Sequence, residues 1–161
     1  MHQKIPLPGV IFAVLMVLLN LMGLYDFAMS LGLHEGYFSS QGYGNEATEF
    51  FRGFPFLFTA LWFISLVSGI VAPVLFLMKS KFMELMAFLA MTSYGLFILL
   101  TTLFRGRIAA LGFIGFVIDV SLLALLVLFY LYSRQMNRKL QGAANHSRGL
   151  GEYAHSYEHT Y

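Results

Sequence analysis

The chain has 161 residues, 58% of them hydrophobic and only 11% charged, with a formal net charge of +2 at pH 7 and no cysteine. A soluble domain carries about 25% charged residues, so this composition, with a mean hydropathy of +0.72, excludes an ordinary water-facing globule. The missing cysteines exclude disulfides, thiol redox chemistry and cysteine-ligated metal, and the scattered cations form no nucleic-acid surface.

Four apolar stretches follow in chain order, at residues 8–29, 56–78, 82–104 and 111–132. Each holds about 22 residues, and a helix needs about 20 to cross a hydrocarbon core of roughly 30 Å. No alternating barrel-type strands occur, so helices are the one spanning option. The first stretch has a weakly charged start at Lys4, runs past the usual length of a signal segment and lacks a small-residue cleavage site; it reads as a retained helix. Residues 30–55 form a long connection carrying Gly32, Gly36, Gly42, Gly44 and Gly53 with Tyr37, Phe38, Phe50, Phe51 and Phe54. Asn45 ahead of Glu46 and Glu49 suits the N-cap of a short helix. That segment reads either as an aromatic anchor at the headgroup level or as a lid over a site between the helices.

The connections at 79–81 and 105–110 are short, which makes neighbouring helices antiparallel. The expected fold is an all-α membrane protein, with four transmembrane helices in an up-down-up-down bundle over residues 1–132. Pro73 predicts a kink in the second helix. No internal repeat supports an inverted-repeat transporter. Residues 133–161 read as a polar, flexible cytoplasmic tail. His146, His155 and His159 in it are too loosely spaced to define a metal site. Lys4, Lys79, Lys81, Arg134, Arg138, Lys139 and Arg148 flank one side, against Arg52, Arg105 and Arg107 on the other. The excess places both termini in the cytoplasm.

Asp119 is the one charge inside the run GFVIDVSLL at 115–123. A central aspartate costs about 2.5–3.5 kcal/mol to insert, so it needs partners. Gly112, Gly115 and Asp119 share a face, a smooth surface for another helix. Counting the helical rise puts Asn20 about 18 Å from one side and Asp119 about 12 Å from the other, which is one depth. Ser65 and Tyr94 fall near the same level. In the third helix Ala87, Ala90, Tyr94, Thr101 and Arg105 line up, since eleven residues is close to three turns. The candidate intramembrane polar cluster is therefore Asn20, Ser65, Tyr94, Thr101, Arg105 and Asp119. Arg105 is the first choice of charge partner for Asp119, despite a height difference of about 12 Å, and Arg107 is the fallback. Asp26 lies some 120° from Asn20 on the helical wheel and reads as interfacial, as does Glu84 beside Lys81.

Asn20, Leu21, Met22 and Gly23 in NLMGLYDFAMS, Pro55 before the second helix, Gly69 within it and LFLMKSK at 75–81 give the first half of the chain a resemblance. It resembles a family of small four-helix bacterial membrane proteins that often carry the label sugar transporter. The resemblance implies an inner-membrane location in a bacterium and a transport label without an assigned site. The residues themselves favour a non-enzymatic accessory protein acting through helix contacts, in a homo-oligomer or larger membrane complex. The runner-up is a small-solute or proton-coupled carrier using Asp119. An enzyme ranks third, because the spans offer one firm carboxylate, no histidine and no cysteine, and acid–base work needs paired groups. No phosphate-binding or metal-ligand motif occurs, so no cofactor is expected.

Overall fold

The computed structural model describes the backbone of residues 5–158 and the side chains of residues 5–142. Lys4 and the side chains of His146, Arg148, His155 and His159 lie outside the described residues. Among these residues the fold is all helical, in six elements. These are α1 (Leu7–Leu31), α2 (Glu35–Ser40), α3 (Asn45–Phe51), α4 (Phe56–Leu77), α5 (Met83–Arg105) and α6 (Arg107–Glu158).

Helix boundaries follow from local chemistry. Pro6 caps α1 with φ −64°, and Pro55 caps α4 with φ −61°, values fixed by the proline ring. Gly106 ends α5 in the left-handed region at φ 63°, ψ 41°, the usual glycine stop. The cap of α3 is Gly44, with Asn45 as the first helical residue and no side-chain cap bond; the expected Asn45 cap is displaced by one position. Pro73 is buried, and α4 continues past it to Leu77.

The fourth apolar stretch departs most from expectation. Its helix begins at Arg107, inside what the sequence suggests is a loop, and breaks at Gly112, where φ is 73° and ψ 175°. Only glycine adopts that conformation readily. Beyond Tyr132, in the segment expected to be a loose tail, α6 stays helical to Glu158.

Four helices are long and apolar enough to cross a membrane: α1, α4, α5 and the part of α6 from Arg107 to Gly142. Their outward faces carry residues such as Leu18, Phe88, Leu103, Phe113 and Ile114, all exposed. Acyl chains, unlike water, cover such a surface without cost.

Inside, α4 packs on α1 and on α5, and α5 packs on α6. Small residues set the approach distances. A Cβ on Gly69 of α4 would collide with the Asn20 side chain of α1, and one on Gly9 would strike the Tyr132 ring of α6. Phe12 meets Phe129 edge-on at the same end, 5.4 Å between centroids. There Glu84 accepts a hydrogen bond from Asn137 Nδ2 at 2.8 Å and lies 3.8 Å from Arg134 Nε. At the opposite end, α2 and α3 cover the helices. Phe51 of α3 lies nearly parallel to Trp62 of α4, which stacks on Phe97 of α5 at 5.2 Å.

Candidate functional site: a polar cavity among the long helices

A cavity of about 120 Å³ lies within the apolar helices. All four long helices line it: α1 with Asn20 and Asp26, α4 with Trp62 and Ser65, α5 with Tyr94, and α6 with Arg107 and Asp119. Tyr43, from the loop between α2 and α3, and Phe51 of α3 also contribute, so the segment 30–55 supplies part of the lining.

Asp119 is 5% exposed and its charge is fully engaged. Arg107 grips it through two bonds, Nε to Oδ2 at 2.7 Å and Nη2 to Oδ1 at 3.0 Å, and the Tyr94 hydroxyl donates to Oδ1 at 3.1 Å. A planar guanidinium matched to a carboxylate is the strongest form of charge pairing available to side chains. Arg107 is itself buried, with Cζ 4.8 Å from the centre of the Phe97 ring and 5.9 Å from that of Phe50. Its remaining nitrogen, Nη1, has no hydrogen-bond partner and is packed away from solvent; the aromatic faces offer it a cation–π environment.

The break at Gly112 explains why this pair exists. In an unbroken helix, twelve residues separate Arg107 and Asp119 by about 18 Å along the axis, beyond the reach of the two side chains. The non-helical Gly112 turns the segment 107–111 so that Arg107 comes back onto Asp119. The expected partner, Arg105, goes elsewhere. Its Nη2 donates to the Phe50 carbonyl and, at 3.3 Å, to the Arg52 carbonyl, tying the end of α5 to α3.

Of the other cluster residues, Asn20, Ser65, Tyr94 and Asp119 come together around the cavity, whereas Thr101 and Arg105 do not line it. Thr101 is fully buried, and its hydroxyl donates back to the Phe97 carbonyl at 2.6 Å. Asn20 likewise donates from Nδ2 to the Met16 carbonyl at 2.8 Å.

Three site residues escape the sequence reading or are ranked low by it. Arg107 is only the fallback there, because the turn at Gly112 leaves no pattern in a single sequence. Tyr43 sits in a loop with no periodicity to place it. Asp26, expected at the interface and off the shared face, lines the cavity with Asn20. A wheel angle gives direction but not the width of the space faced, and this cavity spans a broad arc of α1. Asp26 Oδ1 accepts from the Tyr37 hydroxyl at 2.6 Å and from the Ser30 hydroxyl at 3.1 Å. The former has the length of a charge-assisted bond.

No family model, curated protein or solved structure compared with the chain matches it. Its chemistry is therefore argued from the cavity itself.

The tyrosines outside the spans feel the charges around the cavity. Burial, then the hydrogen bond and charge of Asp26, push the Tyr37 hydroxyl well above the ordinary tyrosine value. Tyr43 is pushed up by burial first, and then by the charges of both Asp26 and Asp119, with Arg107 opposing. Tyr43 therefore lies within the field of both carboxylates. Among the described residues no group of three or more histidine, cysteine or acidic side chains is placed to hold a metal ion.

Proposed function

We propose that the chain is a non-enzymatic integral membrane protein that binds a small solute in the cavity among its long helices. The cavity carries this reading: side chains from all four long helices, three of them charged, surround one space of about 120 Å³. Ionisable groups inside a membrane are costly and mark solute or ion sites by default. An up-down-up-down bundle is supported by Arg105 reaching α3 at one end and Phe76 meeting Tyr132 at the other. Cytoplasmic termini are supported by the excess of Lys and Arg on that side. An inner-membrane, bacterial setting follows the family resemblance.

Asp119 has a positioning role in this reading. Gripped by Arg107 and Tyr94, it fixes α6 against α5 and shapes one wall. The same clamp favours the accessory-protein reading as a second choice, in which helix contacts, in a homo-oligomer or a larger complex, are the function.

Solute binding is tested by filling the space. Leu122 lines the cavity, and Leu122→Phe adds volume there. Purified wild type in nanodiscs is expected to show a saturable rise in thermal midpoint with a small polar solute, and Leu122→Phe to lose it while keeping its helical circular dichroism. An equal rise in both proteins would place binding elsewhere and leave the accessory reading in possession.

A further inference from the structure

Three charged side chains line the cavity: Asp26, Arg107 and Asp119. Arg107 and Asp119 neutralise each other. Asp26 is left over. Among the described residues no cation lies within ion-pair distance of it, and both hydrogen bonds it accepts fall on Oδ1. Asp26 is thus the lining carboxylate without an ion-pair partner, and no hydrogen bond among the described residues falls on its Oδ2.

The walls add a second, independent indication. Tyr43, Phe51 and Trp62 line the same space; Phe51 and Trp62 stack on other rings, which leaves the Tyr43 ring as the aromatic surface for a cation, an attraction strongest once water is excluded. An anion finds no such welcome. The only cationic group, Arg107, is committed to Asp119, and its spare nitrogen is packed away from solvent. Size sets the upper limit. A dry cavity of about 150 Å³ holds a benzene-sized molecule, so about 120 Å³ suits roughly five heavy atoms by that comparison.

We propose that the cavity takes a small organic cation of the alkylammonium class, its charge at Asp26 and its carbon against the Tyr43 ring and the apolar wall of Leu122 and Leu126. This rests on the solute-binding reading above and specifies its ligand.

Trp62 is the only tryptophan in the chain and lines the cavity, so its emission reports on this site alone. The experiment titrates full-length protein, in nanodiscs of zwitterionic lipid, with tetramethylammonium, n-butylammonium, tert-butanol and propionate. Tetramethylammonium and tert-butanol match closely in size and differ in charge. Both ammonium ions are expected to shift Trp62 emission saturably, at concentrations at least about tenfold below tert-butanol, the scale set by a desolvated cation–π contact. Asp26→Asn, which keeps an oxygen to accept from Tyr37 and Ser30, is expected to erase that preference. Equal responses to tetramethylammonium and tert-butanol overturn the cation assignment and leave solute binding standing. A preference for propionate overturns it in favour of an anion. No saturable response to any probe overturns both readings. The isosteric pair decides the matter in wild type even if Asp26→Asn fails to fold.

Discussion

At the residue scale, the Arg107–Asp119 pair governs what substitutions do. A buried carboxylate and guanidinium have lost their water, and each depends on the other to offset that loss. Removing one strands the other. Asp119→Asn and Arg107→Met are each expected to destabilise the protein by about 3–5 kcal/mol, whereas Arg107→Met with Asp119→Leu should recover most of the loss. Thermal unfolding of the four proteins in one detergent checks this. A double variant as unstable as the worse single one would show that the pair does more than cancel charge.

Tyr37 supplies a pH signature. Its hydroxyl is raised above the ordinary value of about 10 by burial and by Asp26. The folded protein then holds that proton more tightly than the unfolded chain. Its contribution to stability is complete below about pH 10 and shrinks as pH climbs toward the folded value. The midpoint advantage of wild type over Tyr37→Phe should therefore hold steady up to about pH 10 and narrow as pH rises beyond it, the region above the free tyrosine value. An advantage independent of pH would mean that Tyr37 acts by packing alone.

At the element scale, Gly112 is the decisive position. Its φ of 73° with ψ of 175° suits glycine alone. Gly112→Ala is expected to cost about 1–3 kcal/mol in backbone strain, with a further loss if α6 straightens and carries Arg107 away from Asp119. Hydrogen exchange at residues 107–119 would register that straightening. This element also marks where sequence reading stops. Four long apolar runs announce α1, α4, α5 and α6, because length and hydropathy are summed properties of many residues. The levels of Asn20, Ser65, Tyr94 and Asp119 can be counted from the helical rise, and all four line the cavity. The choice between Arg105 and Arg107 cannot be counted. It turns on one glycine at positive φ, and a glycine in a transmembrane run looks the same whether it packs, bends or breaks the helix. Asp26, read as interfacial, also lines the cavity, and its surroundings depend on Tyr37, in a separate element eleven residues on, which no helical wheel contains.

At the scale of the whole molecule, the absence of cysteine gives a clean test of the proposed topology. Ser40 closes α2 and is exposed, and Lys81, also exposed, lies between α4 and α5. Single variants Ser40→Cys and Lys81→Cys are expected to react with a membrane-impermeant maleimide from opposite faces of the bilayer, with Lys81→Cys on the cytoplasmic face. Labelling of both from one face would remove the up-down-up-down arrangement.

The folded-back start of α6 bears on how the protein is made. Both ionised groups of the central clamp belong to a single element, twelve positions apart, and need no other helix to meet. During synthesis the last span can enter the bilayer as a zwitterion already closed upon itself, its net charge near zero, before it has found its neighbours. The self-neutralisation of this segment thus rests on a hinge residue that itself carries no charge at all.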